Sequence, residues 1–214
     1  MPRSFSPDER LLIGQRLRDA ARRAFAARGL RHVTVDELAQ AAGISKGAFY
    51  LFFDSKEDLL LALLHDFEAD FQRTVLDEVL RPELGPLESL RTLLRTAVAV
   101  RGTDPLLRSL SDTDLDVLMR RIPPAQAAQL LEADVASARR FVDFWREQGR
   151  PIGVDADVLT GLMRAIVLTA FRQHEIGAAV YEQVVHVLID AVAQRLGATT
   201  EHAQRPKRQR AHVG

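Results

Sequence analysis

The chain has 214 residues, 47% of them hydrophobic and 27% charged, with 29 basic residues against 29 acidic ones. This is ordinary globular composition, long enough for one large domain or a small one fused to a larger one. No run approaches about 18 uncharged apolar residues and the N-terminal MPRSFSPDER lacks an apolar stretch, so neither a membrane span nor a signal peptide is expected and the protein reads as cytoplasmic. The lack of cysteine excludes disulfides, thiolate metal sites and a cysteine nucleophile, and the lack of asparagine excludes the N-glycosylation acceptor.

The zero net charge conceals an uneven distribution. Residues 1 to 50 hold nine Arg or Lys against five acids, and residues 201 to 214 hold four bases against Glu201, giving +4 and +3 and leaving −7 for the middle. Basic ends around an acidic middle suit a chain that meets a polyanion at one end.

Taken in order, residues 8 to 28 place Ile13, Leu17, Ala20, Ala21, Ala24 and Phe25 on one helical face, with Ser6 as cap, Pro7 in the first position and Gly29 as stop. Thr34 caps a second helix carrying Val35, Leu38 and Ala39, with Glu37 completing a capping box, and Gly43 ends it. Ser45 caps a short third helix through Lys46, Gly47, Ala48, Phe49 and Tyr50. Asp54 or Ser55 caps a fourth, with Glu57 and Asp58 in its positive first turn. Two short helices joined by a tight glycine turn make a helix-turn-helix, whose second helix lies in the DNA major groove. Phe49 and Phe53 share a face and are expected in the core.

The fourth helix keeps its apolar period from Leu59 to Leu80, about 25 residues or roughly 38 Å. It reads as one rod joining the two halves of the chain. Pro82, Gly85 and Pro86 break the pattern before a helix over 87–100. Asp104 and then Ser111 or Asp112 start two short helices, and a long amphipathic helix is expected over 124–148. Helices over 155–175 and 178–196 follow, the second apolar nearly all round, which predicts a two-fold homodimer through this pair, with Gly161 and Ala165 allowing close approach. Residues 198–214 lack periodicity and read as a disordered basic tail.

The order Thr34, Leu38, Ala39, Ala42, Gly43, Ser45, Lys46, Gly47, Tyr50, Phe53, Ser55, Lys56, Glu57, Leu59 and Leu60, after an amphipathic helix, resembles the TetR family of transcriptional regulators over roughly residues 8 to 65. The resemblance implies an all-α fold, with a three-helix DNA-binding domain at 8–58 and a larger helical effector-binding and dimerisation domain at 59–197. It implies a dimer on a palindromic double-stranded DNA operator, released by a small-molecule effector and needing no cofactor. Phosphate contacts are then expected from Thr34, Tyr50 and Lys56 and from backbone amides near Val35 and Lys46. Base-edge contacts are expected from Ser45, Lys46, Gly47, Ala48, Tyr50 and Leu51, with Lys46 best placed for a guanine edge. Gly47 and Ala48 matter through being small. Arg3, and with it Arg10, is a further phosphate candidate. Leu51 and Phe52 depart from the family, which favours polar or other aromatic residues there; Leu51 suits either a thymine methyl or the core.

An effector site is expected among Phe67, Phe71, Met119, Phe141, Phe144, Trp145, Met163 and Phe171, with Arg164 read as a buried guanidinium needing an anion, either a nearby Asp or Glu or a ligand carboxylate or phosphate. Gly43-Ile44-Ser45-Lys46-Gly47 also matches the nucleophile-elbow pattern, but a helix rather than a strand precedes it and Ser45 serves as a cap. No catalytic or metal-ligand pattern is present, and His174-Glu175 reads as helix-end chemistry. The rivals to a ligand-responsive regulator are a constitutive DNA-binding scaffold and a helical enzyme.

Overall fold

The computed structural model describes residues 5–197. Among them it shows eleven α-helices, one 3₁₀ turn and no strand. The expected basic tail and Arg3 lie outside the described residues. The helices are α1 Pro7–Arg28, α2 Val35–Ala41, α3 Lys46–Phe49, α4 Lys56–Val79, α5 Gly85–Thr103 and α6 Pro105–Ser109, then α7 Asp112–Arg121, α8 Pro124–Glu147, α9 Ala156–Phe171, α10 Gln173–Ile176 and α11 Tyr181–Gly197. No described helix is long and apolar enough to cross a membrane.

Two compact units emerge. One takes the described residues up to Arg73 together with Ala99–Ala127, and the other takes Thr74–Val98 together with the described residues from Ala128 to Gly197. The helices α4, α5 and α8 contribute residues to both.

In the first unit the caps read from sequence are all made. Ser6 accepts from the Glu9 amide and Glu9 reaches back to the Ser6 amide, a reciprocal capping box; Thr34 with Glu37 and Ser111 with Asp114 repeat it. Ser55 accepts from the Asp58 amide at the head of α4. Gly43 turns the chain between α2 and α3 at φ 75°, a conformation that a Cβ would strain. A helix of four residues cannot sustain itself. What holds α3 is Phe49, fully buried in a core with Leu17, Phe25, Leu38, Leu59, Leu60 and Leu63. Burying such a side chain contributes about 1.5–3 kcal/mol. Phe53 is partly buried and packs on the same core, its ring 6.1 Å from that of Phe49.

This core also takes Leu106, Leu107, Leu110 and Leu118 from α6, its C-cap and α7. Arg101 donates to the carbonyls of Leu107 and Leu110, folding the end of α5 onto that segment. Asp114 of α7 lies 3.6 Å from Arg31, and Arg121 donates to the Ser55 hydroxyl at 2.8 Å and lies 3.7 Å from Asp58. The 105–121 segment therefore packs with the helix-turn-helix as part of one unit.

Several boundaries differ from expectation. The helix expected over 87–100 runs from Gly85 to Thr103, because Pro86 occupies the first turn, where its missing amide costs nothing. The helix expected over 155–175 ends at Phe171: Arg172 leaves helical geometry at φ −123°, and α10 follows as a single short turn. The helix expected to start at 178 starts at Tyr181, after Gly177 at φ 106°. In the second unit Leu94 of α5, Ile166 and Ala170 of α9, and Tyr181, Val185 and Ile189 of α11 share a core.

Candidate nucleic-acid interface

The interface is assembled from the first turn of α2 and the whole of α3. Thr34 accepts from the Glu37 amide at 3.3 Å, and the Glu37 carboxylate takes the Thr34 amide at 2.8 Å. Arg28, from the end of α1, donates to the other Glu37 oxygen at 2.9 Å. These bonds, Arg28 foremost, pull the Glu37 carboxyl from an ordinary 4.5 down to about 2. Ser45 accepts from the Ala48 amide at 3.2 Å and starts α3.

With Phe49 anchored, the opposite face of α3 is presented to solvent. Ser45, Lys46, Gly47, Tyr50 and Leu51 are exposed and Ala48 is half-buried. Tyr50 at 49% and Leu51 at 51% are unusually open for side chains of their size. Leu51 is thus excluded from the core, one of its two expected places, whereas Phe52 packs on the core with its ring 5.9 Å from Phe5. Val35 is partly buried against the core, so only its backbone is in a position to serve a ligand.

Lys46 is not idle. Its ammonium donates to the Asp36 carboxylate at 2.7 Å, and that bond and charge hold the lysine above its ordinary pKa. The ammonium of Lys56, expected at a phosphate, donates to the carbonyls of Leu30 and Val33 at 2.8 and 2.7 Å, which leaves one of its three N–H groups. It ties the 3₁₀ turn Leu30–His32 to α4. Asp36, Arg28 and Arg121 were not legible as members of this assembly, since their partners lie nine to sixty-six positions away.

The expected effector residues divide between the units. Phe67 and Phe71 stack on one another with ring centres 6.0 Å apart in the first unit, and Met119, at 69% exposure, lines no interior there. In the second unit Phe141 and Trp145 are fully buried, with Phe144 edge-on to Trp145 at 5.0 Å, while Met163 and Phe171 are half-buried. Arg164 is not the buried guanidinium expected: its side chain is 47% exposed and donates to Asp134 at 2.9 Å. The Trp145 indole N–H is buried without a hydrogen-bond partner, and the Arg150 guanidinium lies 5.7 Å from its ring. A surface cleft of about 230 Å³ in the same unit is lined by Arg139, Asp143, Arg146, Asp155 and Asp157 with two apolar residues, and includes none of the expected effector side chains. No cluster of three metal-ligating side chains occurs among the described residues. His174 is exposed and 4.0 Å from Glu175.

Residues 17–63 match the family described as bacterial regulatory proteins, tetR family. The transcriptional regulator AcuR of Cereibacter sphaeroides is 31% identical over 120 residues, 56% of this chain and 55% of that protein. The HTH-type transcriptional repressor KstR2 of Rhodococcus jostii is 48% identical over 54 residues, 25% of this chain and 26% of its own. The chain thus spans about half of the first relative and less of others. A TetR-family regulator from Pectobacterium atrosepticum superposes with a TM-score of 0.70 at 21% identity, covering 90% of this chain and 98% of that one. RolR in complex with resorcinol superposes at 0.60 with 25% identity, over 94% and 97%.

Proposed function

The chain belongs to the TetR family of bacterial regulatory proteins, and from that premise we propose that it is a DNA-binding transcriptional regulator that acts as a two-fold dimer on a palindromic operator and is released by a small-molecule effector. The relatives are regulators by name and not enzymes. The observation that carries the reading is the face of α3: buried Phe49 fixes the helix while Ser45, Lys46, Gly47, Tyr50 and Leu51 stand in solvent. Thr34 and Tyr50 then take phosphates, Lys46 a guanine edge, and Leu51 a thymine methyl. Residues 8–58 form the DNA-binding part in this reading, and 59–197 the effector-binding and dimerisation part.

Two stripes support the dimer. Val158, Gly161, Ala165 and Leu168 line one exposed face of α9 at helical spacing, and Val180, Val187, Leu188 and Ala191 line one at α11. Rows of exposed apolar side chains on adjacent helices suit a four-helix contact with a second copy. For the effector, the support is RolR, whose structure holds resorcinol, together with the buried and unpartnered indole N–H of Trp145. A ligand oxygen there would relieve a donor that costs about 1–3 kcal/mol when left unmet. Helix α4 supplies the backbone through which such binding reaches Ser55 and α3. An effector that weakens operator binding tenfold must favour the released shape by about 1.4 kcal/mol.

The test is selection from a randomised duplex pool with the full chain, followed by binding of the enriched duplex. Lys46→Ala and Tyr50→Ala are expected to lose affinity. Parent-like binding by both would overturn the assignment of α3. A phenol panel that neither raises the melting temperature nor lowers the duplex affinity would leave a constitutive DNA-binding scaffold.

A further inference from the structure

Asp36 and Lys46 form an exposed ion pair at the solvent face of the helix-turn-helix. Both side chains belong to the presented face: Asp36 is 63% exposed and Lys46 54%, and the carboxylate and ammonium are 2.7 Å apart. They come from different helices, ten positions apart, and only the fold brings them together. An exposed ion pair of this kind contributes about 0–1 kcal/mol to stability, too little to explain the arrangement by folding alone.

In the major groove a G·C pair presents the guanine N7 and O6 acceptors and, beside them, the cytosine N4 donor. O6 and N4 are hydrogen-bonded to each other, so they stand about 2.9 Å apart, the ordinary N–H···O distance. A fixed donor and acceptor at 2.7 Å therefore match O6 and N4 in spacing and in sign. The lysine has three N–H groups, enough to keep Asp36 and still reach O6 and N7. With adenine in guanine's place the pattern is reversed, setting the adenine N6 donor against the ammonium and the thymine O4 acceptor against the carboxylate; with thymine in guanine's place O4 and N6 keep the order, but a methyl stands where the ammonium would reach N7. Rejection then adds to attraction.

We propose that Asp36 is a specificity-determining residue that reads one G·C pair in each operator half-site jointly with Lys46, its carboxylate accepting from cytosine N4 while the ammonium donates to guanine. The inference rests on α3 being the recognition helix. It assigns to Asp36 a role that a phosphate-facing acid cannot have, since a carboxylate near a phosphate only repels it.

The experiment is the same selection from a randomised duplex pool, with full-length parent, Asp36→Ala, Asp36→Asn and Lys46→Ala. Circular dichroism and melting temperature establish that each variant is folded. The parent is expected to enrich a palindrome containing a G·C pair at which Asp36→Ala and Lys46→Ala each lose about 5- to 150-fold in discrimination, the fold-change of one good base contact. The amide in Asp36→Asn both donates and accepts, so that variant is expected to tolerate A·T at the same position. Unchanged preferences in both Asp36 variants would show a surface ion pair only and overturn the proposal. So would relaxation of different base pairs by Asp36→Ala and Lys46→Ala. A parent that enriches no motif removes the DNA-binding reading itself, a different failure from the first two.

Discussion

Replacing Gly47 by alanine separates the demands of folding from those of binding, because the two respond in opposite directions. Gly47 lies in α3 outside the left-handed region, and a Cβ built there meets only the Ser45 hydroxyl, at 3.9 Å. Nothing in the folded chain resists the methyl. Its main effect on folding is then to restrict the unfolded chain, a gain of about 0.4–1 kcal/mol. For a chain of this length that raises the melting temperature by about 1–4 °C. Gly47 is on the exposed face of α3, and in the proposed reading the same methyl would stand between that face and the base edges. Moving the helix outward loosens a bidentate contact worth about 1–3 kcal/mol, so affinity falls about 5- to 150-fold. Differential scanning calorimetry and fluorescence anisotropy on an enriched duplex read the two quantities on one preparation. A variant that is both more stable and equally tight would refute the idea that Gly47 is there for close approach.

Three further outcomes are expected. The Glu37 carboxyl is depressed to about 2, so its stabilising charge is fully present above about 4.5 and is lost as pH falls through about 2; Glu37→Gln should flatten the fall in melting temperature across that window. Arg121→Ala removes the hydrogen bond to Ser55 and the charge opposite Asp58, and should lower stability by about 1 kcal/mol or less while speeding amide exchange in the first turn of α4. No change in exchange there would show that α7 does not hold that cap. Val187→Asp with Leu168→Asp sets charges into both exposed apolar stripes, so sedimentation should report a monomer for the variant and the proposed dimer for the parent; an unchanged oligomer would place the contact elsewhere.

The all-α class, the helix-turn-helix and its caps were legible because each is made within a few residues. Ser6 with Glu9, Thr34 with Glu37 and Ser111 with Asp114 are three apart, and the apolar period of α1 and α4 repeats locally. The exposed face of α3 followed from the same local logic once Phe49 was assigned inward. Charge and ligand chemistry were not legible in this way. Lys56 looks like a phosphate ligand in the sequence, yet two carbonyls 23 and 26 residues back take its ammonium. Arg164 sits in an apolar run and reads as buried, but its place on α9 turns it to solvent and to Asp134, 30 positions away.

By itself, then, the sequence determined that the chain is helical, which capping residues start its helices in the first unit and which face of α1 and α4 is apolar, because capping and periodicity act over one or two turns. Tertiary structure alone decided which charges meet, that the 105–121 segment joins the helix-turn-helix core, and that Asp36 stands beside Lys46. Such pairings depend on how separate helices cross, and no spacing along the chain encodes a crossing.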